Sequence, residues 1–169
     1  MRIRAKIAVL VLALAFVCHD CGVYSFSGAS IPAEAKTVSV DYFPNHAQLV
    51  NPMLSNDFTN ALRDAMTNQT TLDMVESGGD IAFEGEITDY RTTPVAITSG
   101  QTAAMNRLTV TVKVRFSNRF DETKDFEQNF SHYEDYPSDQ DLNAVQQSLT
   151  ATIIEALVED IFNKALVNW

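Results

Sequence analysis

Residues 108–116 impose the strongest constraint on the fold. Leu108, Val110, Val112, Val114 and Phe116 alternate without a break with Thr109, Thr111, Lys113 and Arg115. Side chains of a strand point to opposite faces in turn, so a period of two over nine residues describes a strand with one dry and one wet face. That is the pattern of an antiparallel sheet covered on one side only, and the remaining elements have to supply the cover.

Two segments have the right pattern to do so. Leu54, Phe58, Leu62 and Met66 recur at spacing four with Ala61 and Ala65 beside them, while Asp57, Asn60, Arg63 and Asp64 lie off the stripe. This is an amphipathic helix, with Asn51-Pro52 as its start and its end near Asn68-Gln69. Residues 139–168 read as a second, longer helix capped by Asp139 or Asp141. Its stripe runs through Leu142, Val145, Leu149, Ile153, Ala156, Leu157, Asp160 and Lys164, widened by Ile154, Ile161, Phe162 and Leu166. At 1.5 Å per residue it is roughly 40 Å long.

The other strands are shorter or less regular. Thr37 to Phe43 alternates, with Val38, Val40 and Tyr42 on one face, and stops at Pro44-Asn45. Thr71 to Val75 gives one short strand, and Gly78-Gly79 a turn. From Asp80 onward Ile81, Phe83 and Ile87 point one way and Glu84, Glu86 and Thr88 the other. Gly85 interrupts the inward row, which predicts a bulge or a close approach by a crossing helix, and Pro94 is expected to end the strand. Residues 95–104 are small and weakly polar, a hairpin loop by composition. A turn near Asp121-Glu122-Thr123 leads into a third long strand, 124–136, with Phe126 and Phe130 on one face. The order is strand, helix, short strand, three long strands, helix. Two one-faced helices and an alternating sheet predict an α+β fold, a two-layer sandwich with both helices on one face of a small, mainly antiparallel sheet.

The first 20 residues belong to something else. Arg2, Arg4 and Lys6 precede an uncharged apolar run, Ile7 to Val17, in the manner of an export signal. The run is too short to span a membrane, which takes about 20 apolar residues. Cys18 and Cys21 both compete as the acylated N-terminal cysteine of a bacterial lipoprotein. Val17 before Cys18 is bulky and Asp20 before Cys21 is charged; Gly22 favours Cys21. Cleavage elsewhere, giving a soluble periplasmic product, is the alternative. These are the only two cysteines, so the chain beyond Cys21 cannot hold an internal disulfide. The domains expected are a lipoprotein-type signal over 1–20, a lipidated N-terminus and linker over 21–36, and a folded domain over 37–169.

Charge excludes some partners. The signal removes three of the 12 Lys+Arg and one of the 22 Asp+Glu, leaving nine basic and 21 acidic residues. Such a chain does not bind nucleic acid or an anionic membrane by bulk electrostatics. Against that background one basic strip stands out: Lys113 and Arg115 on the wet face of the best strand, with Arg107 and Arg119 near its ends. It could meet lipid A phosphates or an acidic protein wall, or consist of solvated charges balancing Glu84 and Glu86 on the neighbouring strand. Glu134, Asp135, Asp139 and Asp141 lack an EF-hand pattern. His19, His46 and His132 lie far apart, so no metal site is expected. The sequence carries no Gly-x-Ser-x-Gly, no phosphate loop and no cysteine nucleophile in the folded part.

Taken together, these pieces resemble the lipopolysaccharide-assembly lipoproteins of the LptE type. The resemblance rests on Cys21-Gly-Val-Tyr-Ser-Phe-Ser-Gly-Ala-Ser-Ile-Pro, Asn51-Pro-Met-Leu-Ser, Phe83-Glu-Gly-Glu-Ile, Asn106-Arg-Leu-Thr-Val-Thr-Val and Asp160-Ile-Phe-Asn-Lys, spread over nearly all of residues 21–169. It implies a mixed sheet under two helices, an outer-membrane lipoprotein on the periplasmic side with Cys21 as lipid acceptor, and no enzymatic activity or cofactor. It also implies a role in plugging and assembling the LptD β-barrel, which inserts lipopolysaccharide into the outer leaflet. Asp20, where the family's processing site has Gly or Ala, departs from the pattern. The other reading is a periplasmic scaffold or binding lipoprotein outside that pathway.

Overall fold

The computed structural model describes residues 31–49, 51–95 and 104–167. The signal, Cys18, Cys21 and the tip of the 95–104 loop lie outside them. The elements are β1 (Thr37–Val40), α1 (Leu54–Gln69), β2 (Asp73–Val75), β3 (Ile81–Val95), β4 (Met105–Asn118), β5 (Phe126–Pro137) and α2 (Leu142–Leu166). The sheet order is β2-β1-β3-β4-β5. β1 is parallel to both β2 and β3, whereas β3, β4 and β5 are antiparallel. This is the α+β two-layer sandwich with a mixed, mainly antiparallel sheet.

β4 is the centre of it. Leu108, Val110, Val112, Val114 and Phe116 are all buried, as their alternation requires. Each buried aliphatic or aromatic side chain of this kind stabilises the fold by about 1.5–3 kcal/mol. Phe83, Phe116, Phe126 and Phe130 form a row across three strands, with successive ring centroids 5.2, 5.2 and 6.2 Å apart. Leu54, Phe58, Leu62 and Met66 of α1 cover one half of this face, and Ile153, Leu157, Ile161 and Phe162 of α2 cover the other.

Both helices follow strands that point the same way, β1 and β5, and run back along the sheet. α1 must return to bring Asp73 beside Thr37. α2 places Asp160 on His132 and Lys164 near Phe126, in reverse order along β5. Asp160 and Lys164 are exposed, so α2's buried stripe passes instead through Thr150, Ile154, Val158 and Leu166. α2 is capped by Asp141, whose carboxylate accepts the Asn143 N–H at 2.8 Å.

Four other expectations are corrected. β1 stops at Val40, where the Arg63 guanidinium donates to the Val40 carbonyl at 2.7 and 3.1 Å. The chain stays beside β3 but with one residue extra, Val40 lying opposite Phe83 and Asn45 opposite Ile87, which leaves Tyr42 54% exposed and Phe43 buried against Phe58, ring centroids 5.1 Å apart. Asn51 does not cap α1: its side chain accepts the Met53 N–H in a local turn, and the helix begins at Leu54. Gly85 is neither a bulge nor a helix contact. A Cβ there would overlap the Lys113 carbonyl and come within 2.6 Å of the Phe43 ring. The register shift lies at Thr88, between Ile87 and Asp89. It moves the inward row of β3 from odd to even positions, so Tyr90 is buried. Pro94 does not end β3, which continues to Val95. At that level no strand among the described residues flanks β3 on its far side, so a residue without an N–H costs no ladder bond there. The pairing of Val95 with Met105 makes the 95–104 connection a hairpin.

Residues 31–36 pack onto the domain. Ala35 is buried and Ile31 rests against the core. The Asp80 carboxylate gathers the Lys36 and Thr37 N–H groups and the Thr37 hydroxyl within 3.1 Å, tying the start of β1 to the start of β3.

Candidate functional site: the wet face of the sheet

The alternation that buries the even positions of β4 turns Arg107, Lys113 and Arg115 to the opposite face. Register decides what each one meets. Arg107 lies opposite Asp135, and Arg115 between Glu84 on β3 and Glu127 on β5. Arg107 forms a bidentate pair with Asp135, at 2.7 and 2.9 Å, and its guanidinium carbon lies 3.6 Å from the centre of the half-exposed Tyr133 ring. Glu127 takes two cations: Lys113 Nζ at 2.5 Å on Oε1, and Arg115 Nε and Nη2 at 3.0 and 2.8 Å on Oε2. Glu84 stands 3.8 Å from Arg115, and Glu86 pairs with His46 at 2.9 Å. Beside these groups, over Gly85, is a shallow hollow of about 220 Å³.

The pairing sets the local electrostatics. Hydrogen bonds from Lys113 and Arg115 hold the Glu127 carboxyl below its ordinary range, and those from Arg107 do the same for Asp135. The Arg107 and Arg115 guanidinium groups are raised in turn by Asp135 and Glu127.

The four basic residues do not make one strip. Lys113 and Arg115 share Glu127. Arg107 and Arg119 stand at opposite ends of β4, roughly 35–40 Å apart at 3.3 Å per residue. Arg119 is 75% exposed and reaches only to 3.9 Å from Asp80. The balance expected from Glu84 and Glu86 comes mainly from β5, through Glu127 and Asp135. Those two acids were not legible as partners, because the β4–β5 register depends on a one-turn 3-10 helix at Glu122–Lys124. Among the described residues no three His, Cys, Asp or Glu side chains gather as a metal site.

A similar fold occurs among solved structures. One is a minor lipoprotein from Acinetobacter baumannii, 14% identical, with a TM-score of 0.51, covering 80% of this chain and 97% of its own. Rare lipoprotein B from Shewanella oneidensis is 11% identical, with a TM-score of 0.44, covering 76% and 90%. At such identities the likeness speaks to fold alone. No curated protein matches the sequence. The class is thus an α+β two-layer sandwich domain. The particular assignment comes from the family model for LptE, lipopolysaccharide assembly, which matches residues 35–165. The chain belongs to the LptE family.

Proposed function

We propose that this protein is an outer-membrane lipoprotein, anchored on the periplasmic side through an acylated Cys21, that supports assembly and function of an LptD-type β-barrel inserting lipopolysaccharide. The observation that carries the reading is the family match across 35–165, which includes every strand and all but the end of α2. The protein acts by binding and not by catalysis. A rigid sandwich presenting a charged sheet face suits a partner inside or against a barrel wall.

Within this reading Arg107, Lys113, Arg115 and Arg119 contact phosphate groups or acidic residues of the partner. Lys113 and Arg115 do so by exchanging Glu127 for the incoming anion, since charge-assisted bonds to phosphate match those to carboxylate. The test is a pair of opposite changes. Lys113→Glu with Arg115→Glu is expected to weaken capture of lipopolysaccharide or barrel, and Glu127→Gln to strengthen it. Unchanged capture by both variants would remove these residues from the proposal. Mass measurement of the mature N-terminus, with Cys21→Ser as control, tests the anchor.

A further inference from the structure

The helix layer is charged differently from the sheet face. Among the described residues, Glu84, Glu127 and Asp135 on the sheet face all have cation partners. The two helices hold one cation each, and both are turned away: Arg63 to the Val40 carbonyl, and Lys164 over the Phe126 ring at 5.8 Å. Between α1 and α2 runs an open groove of about 820 Å³. Its floor is apolar, with the more accessible Ala61 and Ala151 above the buried Ala65, Ile154, Val158 and Phe162, and its walls carry Asp57 and Asp64 from α1 and Glu155 and Glu159 from α2. These four carboxylates are exposed, and among the described residues none of them forms an ion pair and no Lys or Arg lines the groove. From Gln147 to Asn163 the groove follows roughly 24 Å of helix.

An apolar floor between two rows of unpaired carboxylates fits a segment with an apolar ridge flanked by Lys or Arg. A helix laid between two helices buries such a ridge along its whole length. A second copy of this chain would set the same four carboxylates against four more, and an anionic lipid surface would meet like charge. We propose that the α1–α2 groove docks a cationic amphipathic helix of a partner protein. The proposal does not depend on the barrel partnership.

The experiment uses the full purified protein and a fluorescent peptide repeating Leu-Lys-Lys-Leu-Leu-Lys-Leu twice, with Glu replacing Lys in the control peptide. Binding is read by anisotropy. The cationic peptide is expected to bind and to weaken with added salt. Asp57→Asn, Asp64→Asn, Glu155→Gln and Glu159→Gln combined are expected to lower its affinity by about tenfold or more, from four modest exposed pairs. Neutralising Glu76, Glu122, Glu134 and Asp139 serves as the control for bulk charge and should leave affinity nearly unchanged. Ala151→Trp, which fills the groove without altering charge, should also weaken binding. Equal loss from the two neutralised sets, or equal binding of the acidic peptide, overturns the proposal. So does a self-association, seen by sedimentation, that the groove variant abolishes.

Discussion

Gly85 shows how much one missing side chain can matter. Its Cα faces the Lys113 backbone and the Phe43 ring with no room for a methyl group. Gly85→Ala is expected to destabilise the protein by about 3 kcal/mol or more, because neither the β4 backbone nor the buried ring can retreat. Gly78→Ala meets no atom within 4 Å but sits at φ 66°, so a cost of about 1–2 kcal/mol is expected. Urea unfolding of the two variants separates steric overlap from backbone preference. Asp80 is a second such point. The Lys36 N–H, then the Thr37 hydroxyl, hold its carboxyl below the ordinary value. A carboxyl depressed in the folded state contributes stability above its unfolded pKa, and that contribution disappears as pH falls through the folded pKa. Glu127 and Asp135 act in the same direction. Stability should therefore fall as pH drops below about 4. Asp80→Asn should be less stable at neutral pH and lose part of that acid dependence in thermal melts from pH 7 to pH 2.

At the scale of elements, α2 carries two testable details. Asp141→Ala removes the cap and is expected to cost about 1 kcal/mol. Thr150 is buried with its hydroxyl unpartnered. Thr150→Val removes a desolvated polar group and keeps the shape, so stability should hold or rise by up to about 1 kcal/mol. A clear loss of stability on denaturant melts would mean that this hydroxyl has a partner. The elements themselves were largely legible. The alternation of β4 and the spacing-four stripe of α1 are local patterns that burial imposes directly on the chain. What escaped reading depends on distant partners. Tyr42 and Phe43 exchange roles because the five residue steps from Val40 to Asn45 run beside four on β3, from Phe83 to Ile87. The parity change at Thr88 has no sequence mark, since Thr suits either face of a strand. Pro94 can continue β3 because no strand among the described residues flanks it there. The wet-face cations were found on β4, but Glu127 and Asp135 depend on a register that no local motif fixes.

As a whole molecule the domain is a charged sheet face, a shared core and an acidic helix layer, lying downstream of Cys21. The sheet face, with Lys113 and Arg115 around Glu127, and the α1–α2 groove are separate surfaces, and the two proposals assign them to separate partners. Variants at one should leave capture through the other unchanged. The central claim is membership in a lipopolysaccharide-inserting complex, and the family match over 35–165 is what supports it. Affinity capture of the tagged full-length chain from detergent-solubilised outer membranes, with partners identified by mass spectrometry, tests it most directly. The account predicts a large LptD-type β-barrel recovered in near-equal amount with the wild-type chain and lost with Gly85→Ala. Recovery of the folded wild-type chain without any such barrel would contradict it.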